Sequence, residues 1–253
     1  MSERTLLGGL QSVQSALRYD PTRVIEVWLD RRRRDGRMQR LRELLANADA
    51  PVHESEARAL DRMLPDFPHQ GVVMAYKGVS PRGDNDLERH LDGLSGEPFV
   101  LVLDQVQDPH NLGACLRSAD AAGVDAVIVP RDRSAGLTAV VHRVSAGAAE
   151  FVPFFQVTNL ARCLRGLRDR GIWLLGAADE AAVPVYSVDM TGPMGLVVGA
   201  EGKGLRRLTR EHCDQLIAIP MAGHVESLNV SVATGVLLFE ARRQHSALNP
   251  SAG

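Results

Sequence analysis

Three stretches of this 253-residue chain carry side chains whose types and spacing suit chemistry. The first, Asp104 to Ala122 (DQVQDPHNLGACLRSADAA), places an amide, Asn111, and a guanidinium, Arg117, just after an apolar run. The second, Gly195 to Arg207 (GLVVGAEGKGLRR), passes from a run of apolar residues into Gly199, Ala200, Glu201, Gly202, Lys203 and Gly204, where the glycines and Ala200 let backbone amides approach a ligand closely. The third, Ile217 to Gly235 (IAIPMAGHVESLNVSVATG), supplies the neutral donors and acceptors of Ser227, Asn229 and Ser231. Each group falls where a strand ends, the usual ligand-binding edge of an open α/β sheet. Taken singly, each stretch has a plainer explanation as a capped helix with a solvated arginine, a glycine turn, or a set of capping residues.

The positioning elements follow from pattern. Phe99 to Leu103 is short, apolar and rich in β-branched residues, which predicts a buried strand. Asp108 before Pro109 is a good N-cap for the helix that follows, with Asn111 as the alternative cap. Leu112, Cys115, Leu116 and Ala119 form its buried stripe and leave Asn111, Arg117 and Ser118 off it. Gly123 is the expected C-cap. Ser227 is expected to cap a helix from about Asn229 to Arg243. Two familiar phosphate-binding signatures are absent: the glycines do not follow GxGxxG, and Gly202-Lys203 is followed by glycine rather than Ser or Thr.

The chain divides near residue 95. Its first part reads as an alternating α/β unit: helical spacing at Leu6, Leu10, Val13 and Leu17, a strand from Val24 to Leu29, a helix from Met38 to Ala48, a helix capped by Ser55, and a strand from Gly71 to Tyr76. Arg31 to Arg34, with Arg37 and Arg40, form either a solvated loop or an electrostatic footprint for phosphate. Residues 78–95, polar and rich in Gly, Pro, Ser and Asp, are predicted to be a flexible linker. The second part alternates strand and helix as a parallel sheet with helices on both sides.

Composition sets the outer limits. Hydrophobic residues at 45% suffice for real cores, and a net charge of −2 argues against bulk polyanion capture while leaving room for a local basic patch. Neither a secretory leader nor an apolar run of about eighteen residues is present, so a soluble cytoplasmic protein without membrane contact is expected. Cys115, Cys163 and Cys213 are far apart in apolar or helical surroundings and read as core thiols rather than disulfide or zinc ligands.

Together, NLGACLRSA with Asn111 and Arg117, VVGAEGKGL with Glu201, and IPMAGHVESLNVSVATG with Ser227 and Asn229 resemble the three motifs of the SpoU/TrmH class of RNA ribose 2'-O-methyltransferases, in the same order and at similar spacing. LLGGLQSVQSALR and His69-Gln70-Gly71 resemble the substrate-binding domain of 23S rRNA guanosine 2'-O-methyltransferases. The resemblance implies an α/β knot, a deep trefoil, preceded by a small ribosomal-protein-like α/β RNA-binding domain. It implies domains at 1–77 and 96–246, joined by the linker at 78–95 and followed by a tail at 247–253. S-adenosylmethionine would be held by Gly199, Ala200, Gly202, Ile219, Met221 and Leu228, mostly through backbone groups.

Asn111, Arg117, Glu201, Ser227 and Asn229 would be catalytic: Asn111 with Ser227 or Asn229 orients the ribose, Glu201 fixes Arg117 or its own loop, and Arg117 clamps a phosphate and stabilises the developing oxyanion. A guanidinium is effectively always protonated, which leaves the proton acceptor unassigned at this level. The family's habit implies a homodimer packed through the knotted domains, with Arg117 of one subunit near the donor of the other, and no metal. The substrate implied is a guanosine in the peptidyl-transferase region of 23S rRNA, free or in a pre-ribosomal particle. Another rRNA or tRNA nucleotide, or a noncatalytic RNA-binding dimer, are the alternatives.

Overall fold

Strand and helix alternate over most of the described residues of the computed structural model, 4–46, 48–65, 68–77 and 81–248. The order is β1 (Arg4–Gly8), α1 (Leu10–Tyr19), β2 (Val24–Asp30), α2 (Gly36–Leu45), β3 (Val52–Ser55), α3 (Ala57–Met63), β4 (Val72–Lys77) and α4 (Asp84–Asp92). Then come β5 (Phe99–Asp104), α5 (Pro109–Ala122), β6 (Ala126–Pro130), α6 (Ala139–Val144), β7 (Phe154–Val157) and α7 (Leu160–Asp169). The chain closes with β8 (Trp173–Ala177), β9 (Met194–Gly199), α8 (Arg207–Glu211), β10 (Gln215–Ile217) and α9 (Val230–Leu248). Contacts divide it into two units, Met1–Ser80 with Leu137–Phe151, and Pro81–Gly136 with Val152–Gly253.

The first unit is built on a mixed sheet of order β1-β4-β2-β3, with β4 antiparallel to β1 and β2, and β3 parallel to β2. Leu10, Val13 and Leu17 bury one stripe of α1, while Leu6, expected on that helix, lies on β1 because Gly9 (φ 91) turns the chain between the two. Glu56, not Ser55, stands at the N-cap of α3. Local bonding tethers part of the arginine run: Arg31 donates to Glu56, and Arg33 to Asp35 and the Gln70 carbonyl, while Arg32, Arg34, Arg37 and Arg40 are exposed. His69 Nδ1 accepts from Gly71 N (3.0 Å), so its Nε2 carries the proton shared with Asp61 Oδ1 at 3.0 Å.

Trp28 stacks on His53 with ring centroids 5.8 Å apart. Tyr76 is fully buried beneath the Arg23 guanidinium, 5.1 Å from its ring centroid, and its hydroxyl has no hydrogen-bond partner. Burial, reinforced by the charge of Glu150, pushes the phenol up to about 12. Glu150 is itself buried, 2.6 Å from His142 Nδ1.

The second unit is a six-stranded parallel sheet of order β10-β8-β9-β5-β6-β7. Every residue of β5 and β9 is buried, as expected for central strands covered by helices on both faces. Successive strands leave β5 in opposite directions, so the crevice at the carboxyl ends of β5 and β9 is a topological switch point. The expectation of a flexible linker over 78–95 does not hold across α4: Leu87 and Leu91, one turn apart, are buried in a core cluster with Val100, Phe155, Leu164 and Val197. Composition masked this, since Gly, Pro and Asp flank the helix and only tertiary packing exposes the role of its two leucines.

Helix α9 packs along α5, with Cys115 Sγ donating to Thr234 Oγ1 at 3.6 Å. Burial pushes the thiols of Cys115 to about 11 and of Cys163 and Cys213 to about 12; Cys115 is a core thiol, while Cys163 and Cys213 are half-buried against the edge of the core. The loop after β8 lies across the chain that follows β10: Val185 N donates to Ala218 O (2.8 Å) and Ala218 N to Val183 O (2.9 Å). The same loop grips α9, where Gln244 Nε2 donates to Val188 O (3.0 Å) and Met190 N to Gln244 Oε1 (2.8 Å). Among the described residues no helix is long and apolar enough to cross a membrane.

Candidate active site

The switch point positions the first two motifs side by side. Asp104 ends β5 opposite Gly199, which ends β9. Asp108 then caps α5, its carboxylate accepting from His110 N at 3.0 Å, and so fixes Asn111 in the first turn. After Gly199 the chain folds into a tight loop closed by Gly204 N donating to Ala200 O (2.9 Å), with Gly202 (φ 74) and Gly204 (φ 61) in the left-handed region. A Cβ on Gly199 would stand 2.1 Å from the Gly204 carbonyl carbon, so only glycine permits this closure.

Glu201 at the tip of the loop joins the three motifs. Its Oε2 accepts from Asn111 Nδ2 (3.2 Å) and, more weakly, from Asn229 Nδ2 (3.5 Å), which also donates to Asn111 Oδ1 at 3.0 Å. Asn229 in turn accepts from Ser231 N (2.9 Å) and Ser231 Oγ (2.6 Å) at the start of α9. One carboxylate and two amides therefore hold each other in a single orientation.

The far end of the loop is anchored by a group that sequence reasoning left without a role. Asp104 is fully buried and accepts from Arg206 N (3.2 Å), Arg206 Nε (2.7 Å) and Thr209 Oγ1 (2.7 Å), with Arg206 Nη2 also at 2.7 Å. A buried carboxylate with its acceptor sites filled is the arrangement that makes burial tolerable. The available signal was an aspartate closing an otherwise apolar strand.

Beside the loop lies a cleft of about 470 Å³. Gly199, Ala200, Gly202, Ile219 and Leu228 line it, as expected, so much of its wall is backbone and aliphatic side chain. Ala177, Ala178, Asp179 and Glu180 at the end of β8 line it as well, a contribution with no motif to announce it. Backbone edges and the aliphatic side chains of Val198, Ile217, Ile219 and Leu228 suit an adenosine-like group, with polar groups of both signs along the same wall.

Three expected residues take no part in the amide network. Met221 is 37% exposed and outside the lining. Ser227 lines the cleft but neither caps α9 nor joins the amide network. Arg117 is exposed, six positions beyond Asn111 and so about 120° around the helix and about 9 Å along it; Glu201 pairs with the two asparagines instead. Among the described residues no group of three His, Cys, Asp or Glu side chains could hold a metal.

Comparison with known proteins matches residues 98–239 to the SpoU rRNA Methylase family. The chain belongs to that family. Residues 6–81 match a second family, RNA 2'-O ribose methyltransferase substrate binding. Among curated relatives, the 23S rRNA (guanosine-2'-O-)-methyltransferase RlmB of Pseudomonas aeruginosa is 53% identical over 98% of this chain and 100% of its own length. The protein of the same description from Ralstonia nicotianae is 51% identical over 98% of this chain and 99% of its own. The crystal structure of the SpoU methyltransferase AviRb from Streptomyces viridochromogenes, in complex with the cofactor AdoMet, has a TM-score of 0.78 and 27% identity over 95% of this chain and 90% of that one. Within this SpoU family architecture, the four-stranded sheet of the first unit falls largely in the 6–81 match and the six-stranded parallel sheet of the second in the 98–239 match, which also takes in the Leu137–Phe151 segment grouped with the first unit.

Proposed function

We propose that this protein transfers a methyl group from S-adenosylmethionine to the ribose 2'-oxygen of a guanosine in 23S rRNA. The observation that carries the reading is the Asn111–Glu201–Asn229 network beside a backbone-walled cleft, in a chain whose curated relatives of that activity match it end to end. The relatives' specificity favours 23S rRNA over a tRNA or another rRNA nucleotide.

S-adenosylmethionine, held by Gly199, Ala200, Gly202, Ile219 and Leu228, supplies an electrophilic methyl group on a sulfonium. The chain must then align a 2'-hydroxyl, take up its proton and exclude water. Asn111 and Asn229 orient the ribose through their remaining hydrogen-bonding positions. Glu201 is the one basic group in the network, since amides and a guanidinium do not accept protons at neutral pH, and it is assigned proton uptake. Arg117 clamps the adjacent phosphate and faces the developing oxyanion.

The Arg117 side chain has no ion pair or hydrogen bond among the described residues, and α9 leaves Val232 and Phe239 each 52% exposed two turns apart. Both facts support a homodimer through the second unit in which Arg117 completes the partner's site. The loop over Ala218 and α9 supports the knotted chain path. The first unit selects the RNA, and the enzyme works in the cytoplasm, where ribosomal RNA is assembled.

Mapping 2'-O-methylation across total RNA from cells with and without this protein tests the assignment. Loss of one guanosine methylation in 23S rRNA is expected; loss confined to tRNA, or no change, overturns it.

A further inference from the structure

A second cleft, of about 610 Å³, opens at the carboxyl ends of β5, β6 and β7, where Gln105, Pro130 and Thr158 form its floor. The methyl-donor assignment does not use it. Its lining holds three guanidinium groups, Arg133, Arg206 and Arg207, against the single carboxylate of Asp132. Arg207 is neutralised by Glu211 at 2.5 Å. Arg133, and Arg131 just outside the lining, are exposed and have no ion pair among the described residues.

Arg206 is preorganised. Its Nε and Nη2 are bound to buried Asp104, yet its side chain is 43% exposed, which leaves the other edge of its five-donor fork free. Gln105 sits at the base of the cleft with φ 65, an unusual conformation for a non-glycine residue, and its Nε2 is buried without a hydrogen-bond partner. Left unpaired, this donor costs free energy, and turning the Gln105 side chain toward the cleft to meet a ligand oxygen recovers the missing bond.

We propose that this cleft binds the phosphodiester backbone of the substrate RNA, with Arg133 and Arg206 as cationic contacts, Arg131 at the mouth and Gln105 as a neutral donor to a phosphate or ribose oxygen. The proposal rests on the RNA-substrate reading above. Its geometry fits that reading because the Glu201 loop ends in Arg206: the strand that enters the cleft is led toward the network that receives the target ribose. Asp104 therefore serves both sides, closing the catalytic loop and aiming the Arg206 fork.

The test compares the full-length wild type with Arg133→Gln, Arg131→Gln/Arg133→Gln and Gln105→Leu. Filter binding of a 23S rRNA transcript is measured across salt concentrations, with S-adenosylhomocysteine affinity by calorimetry. Each lost arginine contact should flatten the slope of log affinity against log salt by about 0.7 to 0.9 and weaken binding several-fold. In turnover the loss should fall on KM for RNA, with kcat and S-adenosylhomocysteine affinity unchanged. Gln105→Leu should weaken binding without altering the slope, since it removes a neutral donor.

An unchanged slope and affinity in both arginine variants overturns the cleft as an RNA site, and so does a parallel fall in S-adenosylhomocysteine affinity. Phosphate contacts are independent of sequence, so the slopes are informative whether or not the transcript is methylated. A wild type that binds the transcript with the expected slopes but never methylates it overturns the substrate reading alone.

Discussion

Glu201 binds two amides through one carboxylate oxygen, so its removal disturbs more than its own charge. Glu201→Gln should lower kcat by about 10²-fold or more, the scale of losing a preorganised polar group in an active site, with donor affinity nearly unchanged. Asn111→Ala should lower kcat similarly, and the double variant should fall well short of the product of the two losses, because the side chains act as a unit. Additive losses would show that they act separately.

A contrasting expectation holds for Tyr76. Its phenol stays protonated in the fold up to about 12, against an ordinary value of 10.0. Its stabilising protonation is thus fully present below the ordinary value and is lost as pH rises through the folded one. Urea unfolding should show stability falling between those values, and Tyr76→Phe should reduce that fall while remaining at least as stable at pH 7, since the buried hydroxyl has no partner. At this scale the sequence revealed Asn111, Glu201 and Asn229 because they stand in motifs. It hid Asp104, whose role depends on a residue 102 positions away.

The elements were legible where periodicity was internal to them. The β5 strand, the Asp108 cap, the buried stripe of α5 and its Gly123 terminus all follow from local rules. Strand β7 and helix α8 carried no such pattern over their few residues, and α4 was hidden by its polar flanks. Leu87→Ala and Leu91→Ala should each cost about 2 to 5 kcal/mol in chemical denaturation, as buried leucines do, whereas a flexible linker would tolerate them within about 0.5 kcal/mol. Gly199→Ala addresses the loop after β9. The close approach to Gly204 leaves no space for a methyl group, so S-adenosylhomocysteine binding should be lost or greatly weakened; retained affinity would mean that loop closure is not needed for the donor cleft.

For the whole molecule, the alternation of strand and helix announced a parallel sheet in the second half, but strand order and the path of the loop over Ala218 and α9 could not be read from period alone. Neither could the grouping of Leu137–Phe151 with the first unit, since that segment lies between strands of the second. If the exposed face of α9 is a dimer interface, Phe239→Glu should give a monomer in analytical ultracentrifugation with much reduced turnover. Mixing Arg117→Ala subunits with Gly199→Ala subunits should then restore about one site per mixed dimer. Confirmed heterodimers with no restored activity would reject the shared site.

The two tryptophans of the chain fall one in each unit. Trp28 is partly covered by its stack on His53, while Trp173, at the start of β8, is 50% exposed. Their emission should differ in wavelength, with Trp173 the redder, and Trp28→Phe or Trp173→Phe leaves a single tryptophan, in the second or the first unit respectively, to be excited selectively at wavelengths that tyrosine does not absorb. The cooperativity of the two units is thus accessible without an added label: a denaturant titration of each variant reports whether both optical transitions share one midpoint.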